Sequence, residues 1–214
     1  MRVDETETTH ALMWLRSDVP GSELVVVDES DHGLAVRGSQ QAVDPIPYRL
    51  QYELWTDATW AATRFVATCE GAGWSRELTL ERGAGGWTAM GAAHGRGELA
   101  AFDGVRVRPP AEPGISDPDS LASALDLDLG GSPLTNSLPV HRLGLLGRPV
   151  GHVSQIVSAW VLPPTLEVIA SPQTYTVLAE DLVEYGDAGT GVAVRYDAQG
   201  WVLDYPGLAR RAQQ

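Results

Sequence analysis

The chain contains no lysine. All fifteen of its basic residues are arginine, set against 28 acidic residues, for a formal net charge of −13 and a pI near 4.6. A surface of that sign repels phosphate backbones and anionic lipid headgroups, so nucleic acid is not expected as a partner. Cysteine is nearly absent too. Cys69, the only one, has no internal disulfide partner, which suits a reducing compartment. It lies in the alternating stretch FVATC and reads as a small buried hydrophobe rather than a nucleophile. No apolar run approaches the roughly 18 residues that a spanning helix needs, and the start, MRVDETETTHALMWL, is too polar for a secretory signal. A cytoplasmic location with no membrane span is expected, and the oligomeric state stays open.

Phenylalanine is scarce as well, with two residues against seven tryptophans and six tyrosines. Most large rings therefore carry a polar tip, as rings do where an apolar body meets a wet or hydrogen-bonding surface. As a set, Trp60, Trp160, Tyr175, Tyr196 and Tyr205 suggest a ligand-lined concavity, although each ring taken singly fits ordinary core packing.

What the chain has in quantity is period-two alternation. In YRLQYELW, Tyr48, Leu50, Tyr52 and Leu54 share one face, and the pattern recurs in ELTLE, ALDLDL, VAVRYD and WVLDY. Turn signals at Pro20-Gly21, Gly71-Ala72-Gly73, Gly83 to Gly86 and Asp197 to Gly200 separate these runs. The pattern predicts a mainly β fold of ten or more strands. They would form a single large antiparallel curved sheet, a half-barrel or open barrel, with a two-sheet sandwich as the alternative. One or two short helical turns are expected, in PDSLASALD with Asp119 or Ser120 as cap, and in ATWAATRF beginning at Trp60. Residues 1–214 read as a single domain with a frayed tail over 1–12. The stretch 106–120, with four prolines and no periodicity, reads as a loop or lid.

Chemical motifs are few. The glycines of GAGGWTAMG and GRGELAAFDG sit between strands, where hairpin turns fit better than phosphate loops. Asp126 and Asp128 project from one strand face and would suit a hard cation or an acid–base pair, but a solvated polar face explains them as well. The five histidines lack ligand spacing and no nucleophile elbow is present, so no metal and no cofactor are expected.

The segment SPLTNSLPVHRL from Ser132 to Leu143 is the densest polar stretch, and its two prolines read as bend-formers between strands. Several motifs taken in order carry a resemblance. They are W-x5-P-G-S-E from Trp14 to Glu23, Y-x-L-x3-L-W-x4-W-x3-R from Tyr48 to Arg64, LDLDL-GG-SPLTNSLPVHRL, P-Q-x-Y from Pro172 to Tyr175, and D-x-x-G-W-V-L-D-Y-P-G-L-A-R-R near the C-terminus. The chain, from about Trp14 to Arg211, resembles the bacterial family named for glycolipid binding. That resemblance implies a half-barrel similar to lipoprotein-carrier proteins, wrapped around an apolar groove, with a hydrophobic or amphiphilic small molecule as partner. Two features depart from the family pattern: a longer connection over 106–120, and His141 where a second arginine is expected beside Arg142.

The function expected on these grounds is non-catalytic binding of an apolar or amphiphilic molecule. Arg64, Asn136, His141, Arg142, Trp160, Gln173, Tyr175 and Tyr205 are the candidate ligand-binding residues. Arg142 is equally suited to an internal ion pair with Asp126 or Asp128, and Asn136 to holding the bend. The alternative is a cavity enzyme, a cyclase or isomerase of a hydrophobic metabolite, in which His141 with Tyr175 moves a proton. A third possibility is a scaffold that takes a peptide strand along an open sheet edge.

Overall fold

The computed structural model describes residues 8–95, 112–187 and 190–213. Seven strands follow one another as antiparallel hairpins: β1 (Thr8–Arg16), β2 (Gly21–Ser30), β3 (Gly33–Ala42), β4 (Tyr48–Thr56), β5 (Ala62–Gly71), β6 (Trp74–Gly83) and β7 (Gly86–Gly95). A second arm holds β9 (Asp126–Leu129), β10 (Val153–Leu162), β11 (Glu167–Ala179), β12 (Leu182–Asp187), β13 (Thr190–Tyr196), β14 (Val202–Tyr205) and β15 (Ala209–Arg211). The arms join where β15 pairs with β1, Trp14 opposite Arg211, which makes one continuous sheet from β7 to β9. The predicted mainly β fold with one large sheet is therefore the observed one, and the sheet is open.

Two pairings break the antiparallel rule. β9 runs parallel to β10, and the two-residue β8 (Gly114–Ile115) runs parallel to β11. Both lie near the seam where the sheet curls round and its edges approach. There Trp87 Nε1 donates to Ala124 O (2.9 Å) and Ala62 N donates to Leu125 O (2.9 Å), so the 121–125 segment fastens the β7 side to the β9 side without closing the barrel.

Alternation places the core on the concave face. Tyr48, Leu50, Tyr52 and Leu54 of β4 are buried as their period requires, with Val25, Val27, Phe65, Cys69, Leu78 and Leu80 beside them. Burial pushes the Cys69 thiol up to about 12, as suits an inert core residue. Gly38 has a specific task here. It lies opposite Tyr52, and a Cβ on it would stand 2.1 Å from the tyrosine ring, so only glycine lets that ring cross β3 toward β2.

Four expectations need correction. Ser132 to Leu143 is no bend between strands, because Ser137–Arg142 forms a short helix, α1, that lies against the core with Leu138 and Val140 buried. Pro139 is tolerated because first-turn N–H groups have no intrahelical acceptor. Trp60 begins no helical turn. It occupies a left-handed position (φ 66°) in a tight turn organised by Asp57, whose Oδ1 accepts from Thr59 N and Ala61 N. The expected helical turn is present at 119–121 as a 3-10 turn, but Pro118 precedes it and neither Asp119 nor Ser120 caps it. Finally, residues 8–12 of the expected tail are already strand, paired with β2. Of the proposed 106–120 lid, residues 106–111 lie outside the described residues, and 112–120 contain β8 and the start of the 3-10 turn. Among the described residues no helix is long and apolar enough to cross a membrane.

Candidate functional site

One mouth of the curled sheet holds a partly enclosed cavity of about 450 Å³, a size typical of small-molecule sites, which span roughly 300–1,000 Å³. Both arms build it. The first arm brings Arg16 and Tyr48 with Asp18 and Asp44 from its loops, and the second brings Asp128, Trp160, Tyr185 and Tyr205. Leu129, Leu162, Val192 and Leu208 supply apolar wall between these groups. Arg16 grips the Asp18 carboxylate with two hydrogen bonds, Nε to Oδ1 at 2.8 Å and Nη2 to Oδ2. Gly131 makes room for that guanidinium: its φ is +78°, and a Cβ there would stand 2.3 Å from Arg16 Nη1.

Behind this wall lies a buried polar layer. Tyr48 Oη donates to Gln40 Oε1 (3.1 Å), and Gln40 Nε2 donates to Gly130 O (3.1 Å), tying β3 to the turn after β9. Glu23 is fully buried, accepting from Tyr52 Oη (2.7 Å) and Leu134 N (3.4 Å). Burial pushes its carboxyl up to about 7, with hydrogen bonds from Ser132, Tyr52 and Leu134 pulling the other way. On the cavity wall, Asn136 donates from Nδ2 to Ser132 O (3.4 Å) while its Oδ1 has no partner. Reversing the amide would set oxygen against oxygen, so the orphan is an acceptor.

A second, more open depression of about 920 Å³ lies beside the first, lined by Asp126, Arg142, Gln155, Gln173 and Glu184 among others. Glu184 and Gly186 of β12 face this depression while Tyr185 faces the smaller cavity, as strand alternation requires. The partition is polar. Gln173 Nε2 donates to Asp128 Oδ2 (2.8 Å), and its carbonyl accepts from Ser158 Oγ and Tyr175 Oη, both at 3.1 Å.

The eight candidate residues therefore part company. Asn136, Trp160 and Tyr205 line the smaller cavity, Arg142 and Gln173 line the larger, and Tyr175 braces Gln173 from behind. Arg142 forms a bidentate pair with Asp126 (Nε–Oδ1 2.8 Å, Nη2–Oδ2 2.6 Å), so the internal ion pair is realised. Asp126 is accordingly no solvated residue. Burial pushes its carboxyl up and the Arg142 fork pulls it back down. Arg64 faces outward, because the inward positions of β5 are Phe65, Ala67 and Cys69. It lies 5.3 Å over the Trp55 ring and pairs with Glu81 at 3.7 Å.

His141 is not in either cavity. It stacks on Trp60 with ring centroids 3.7 Å apart and planes within 5°, beside Trp201 at 5.1 Å. Its Nε2 is buried against the backbone of Gly200. Burial lowers its pKa to about 4, with Asp197 and a backbone hydrogen bond at Gly200 opposing. His141 and Tyr175 thus serve different clusters and form no proton-transfer pair. Among the described residues no group of His, Cys, Asp and Glu has the geometry of a metal site.

Sequence reasoning passed over Arg16, Asp18, Glu23, Asp44, Tyr48 and Tyr185. Two of them carry a readable signal: Glu23 in SELVVV shares the buried parity of Val25 and Val27, and Tyr48 shares that of Leu50 and Leu54.

A family model described as "Putative glycolipid-binding" matches residues 11–211. The crystal structure of a DUF1089 family protein from Pseudomonas aeruginosa is similar over 89% of this chain and 92% of that one, with 25% identity and a TM-score of 0.65. No curated protein matches the chain.

Proposed function

The chain belongs to the "Putative glycolipid-binding" family, and from that membership we propose that it binds the hydroxyl-rich head of an amphiphile in the smaller, aromatic-walled cavity. The observation that carries the reading is the pairing of ring faces with an unspent acceptor on one wall. Trp160, Tyr185 and Tyr205 stand there with Asn136, whose Oδ1 is an unpartnered acceptor in a residue only 5% exposed. A sugar-like head offers the matching chemistry: C–H faces that lie on aromatic rings, and hydroxyls that donate to carboxylate and amide oxygens. The apolar portion of the ligand lies against Leu129, Leu162, Val192 and Leu208. Burying such surface contributes about 25 cal/mol per Å², while the polar contacts fix orientation.

Solvent extraction of the purified protein followed by mass spectrometry, together with calorimetric titration of alkyl glycosides, tests the reading. The expected result is an amphiphile that co-purifies or binds below about millimolar, weakened about tenfold by Trp160→Ala. Arg64→Ala, on the outer face, leaves binding unchanged. If nothing co-purifies and no member of a broad amphiphile panel binds, the proposal fails.

A further inference from the structure

We infer that the cavity selects against negatively charged heads, so that its ligand is an uncharged or cationic hydrogen-bond donor rather than a phosphate, sulfate or carboxylate amphiphile. This rests on the reading of the smaller cavity as the ligand site and adds the charge of the head. Three carboxylates, Asp18, Asp44 and Asp128, stand on its wall against a single guanidinium among the described residues. That guanidinium, Arg16, already donates two hydrogen bonds to Asp18, with its remaining nitrogen beside Gly131. Asp128 Oδ1 accepts from Thr135 Oγ1 (3.0 Å) and its Oδ2 from Gln173 Nε2 (2.8 Å).

An anionic head entering this space meets carboxylates within a few ångströms, in a concavity whose low-dielectric walls focus the field. It brings acceptors only. Asn136 Oδ1, the orphan of the wall, needs a donor. A hydroxyl or ammonium hydrogen satisfies both conditions, and a cationic head also gains from the faces of Trp160 and Tyr205. Unfavourable like-charge contact is a common means of rejecting a wrong ligand.

The test compares n-octyl β-glucoside with n-octyl sulfate, equal in chain length and differing in head charge, by calorimetry below their micelle-forming concentrations. The expected result is a glucoside at least tenfold tighter, with the gap narrowing as salt rises. Because the whole molecule is strongly acidic, two variants with the same change in net charge separate local from global repulsion. Asp44→Asn, at the exposed mouth, narrows the gap several-fold, while Asp117→Asn, on the exposed surface outside the cavity, leaves it as in the wild type. Sulfate binding as tightly as glucoside overturns the inference while leaving the cavity as an amphiphile site. Equal narrowing in both variants, or none in either, also overturns it, by removing the cavity as the source of selection. If neither amphiphile binds, the reading of the cavity itself is lost.

Discussion

The Arg142 guanidinium holds Asp126 where neither charge would be stable alone, since Asp126 is 1% exposed and burial already drives its carboxyl toward the neutral form. Removing one partner strands the other. Arg142→Ala is expected to cost about 3–5 kcal/mol in urea unfolding, whereas the double replacement Arg142→Leu with Asp126→Leu recovers most of that loss. Additive losses in the double variant would refute this view of the pair. The pair was half legible in the sequence. The sequence marks both residues as candidates, and an ion pair between them is one of two uses it suggests for Arg142. The depth of Asp126 was hidden, because LDLDL alternates like a strand with a solvated face. Covering that face takes Arg142 at the end of α1, whose return over β9 no period-two pattern announces. Trp160, Tyr205 and Asn136 line the smaller cavity, while Arg64 lies on the outer face: an arginine near a tryptophan motif reads the same on either strand face until the register is known.

At the scale of elements, strands were legible and α1 was not. A period of two declares itself in five residues, but six residues hold fewer than two helical turns, and Pro139 reads as a bend unless its first-turn position is known. What α1 does is cross-link the arms. Leu134 N in the turn before it donates to Glu23 of β2, Tyr196 Oη of β13 donates to Asn136 O (3.4 Å), and Val202 N of β14 donates to Ser137 Oγ (3.3 Å). Leu138, fully buried on this helix, should cost about 2–5 kcal/mol as Leu138→Ala, read from the urea midpoint. The β2–β3–β4 ribbon makes a second prediction at this scale. Because Tyr52 reaches Glu23 only by crossing Gly38, Gly38→Ala should destabilise by about 1–3 kcal/mol through overpacking and detach the tyrosine from the carboxyl. A Gly38→Ala protein as stable as the wild type would show that the ring can yield.

For the whole molecule, two buried titrating groups of opposite type shape stability against pH. Glu23 is raised to about 7 from 4.5, so between those values the native state keeps a proton that the unfolded chain has released. Its contribution is complete below about 4.5 and is lost as pH rises toward 7. His141 is lowered to about 4 from 6.5, so the unfolded chain carries a proton there that the native state refuses. Its contribution is complete above about 6.5 and is lost as pH falls toward 4. Each slope has a magnitude of about 1.4 kcal/mol per pH unit at most, and between about pH 4.5 and 6.5 the two have opposite sign and nearly cancel. Single replacements expose them. Relative to the wild type, Glu23→Gln should gain stability as pH rises across this window, and His141→Phe, which keeps an aromatic ring against Trp60, should lose it. The double variant should run parallel to the wild type. The acid groups common to all four proteins drop out of these differences, so urea unfolding at pH 4.5, 5.5 and 6.5 isolates the two residues. Four parallel curves would mean that neither group keeps its native protonation state, and the burial argument for both would fall together.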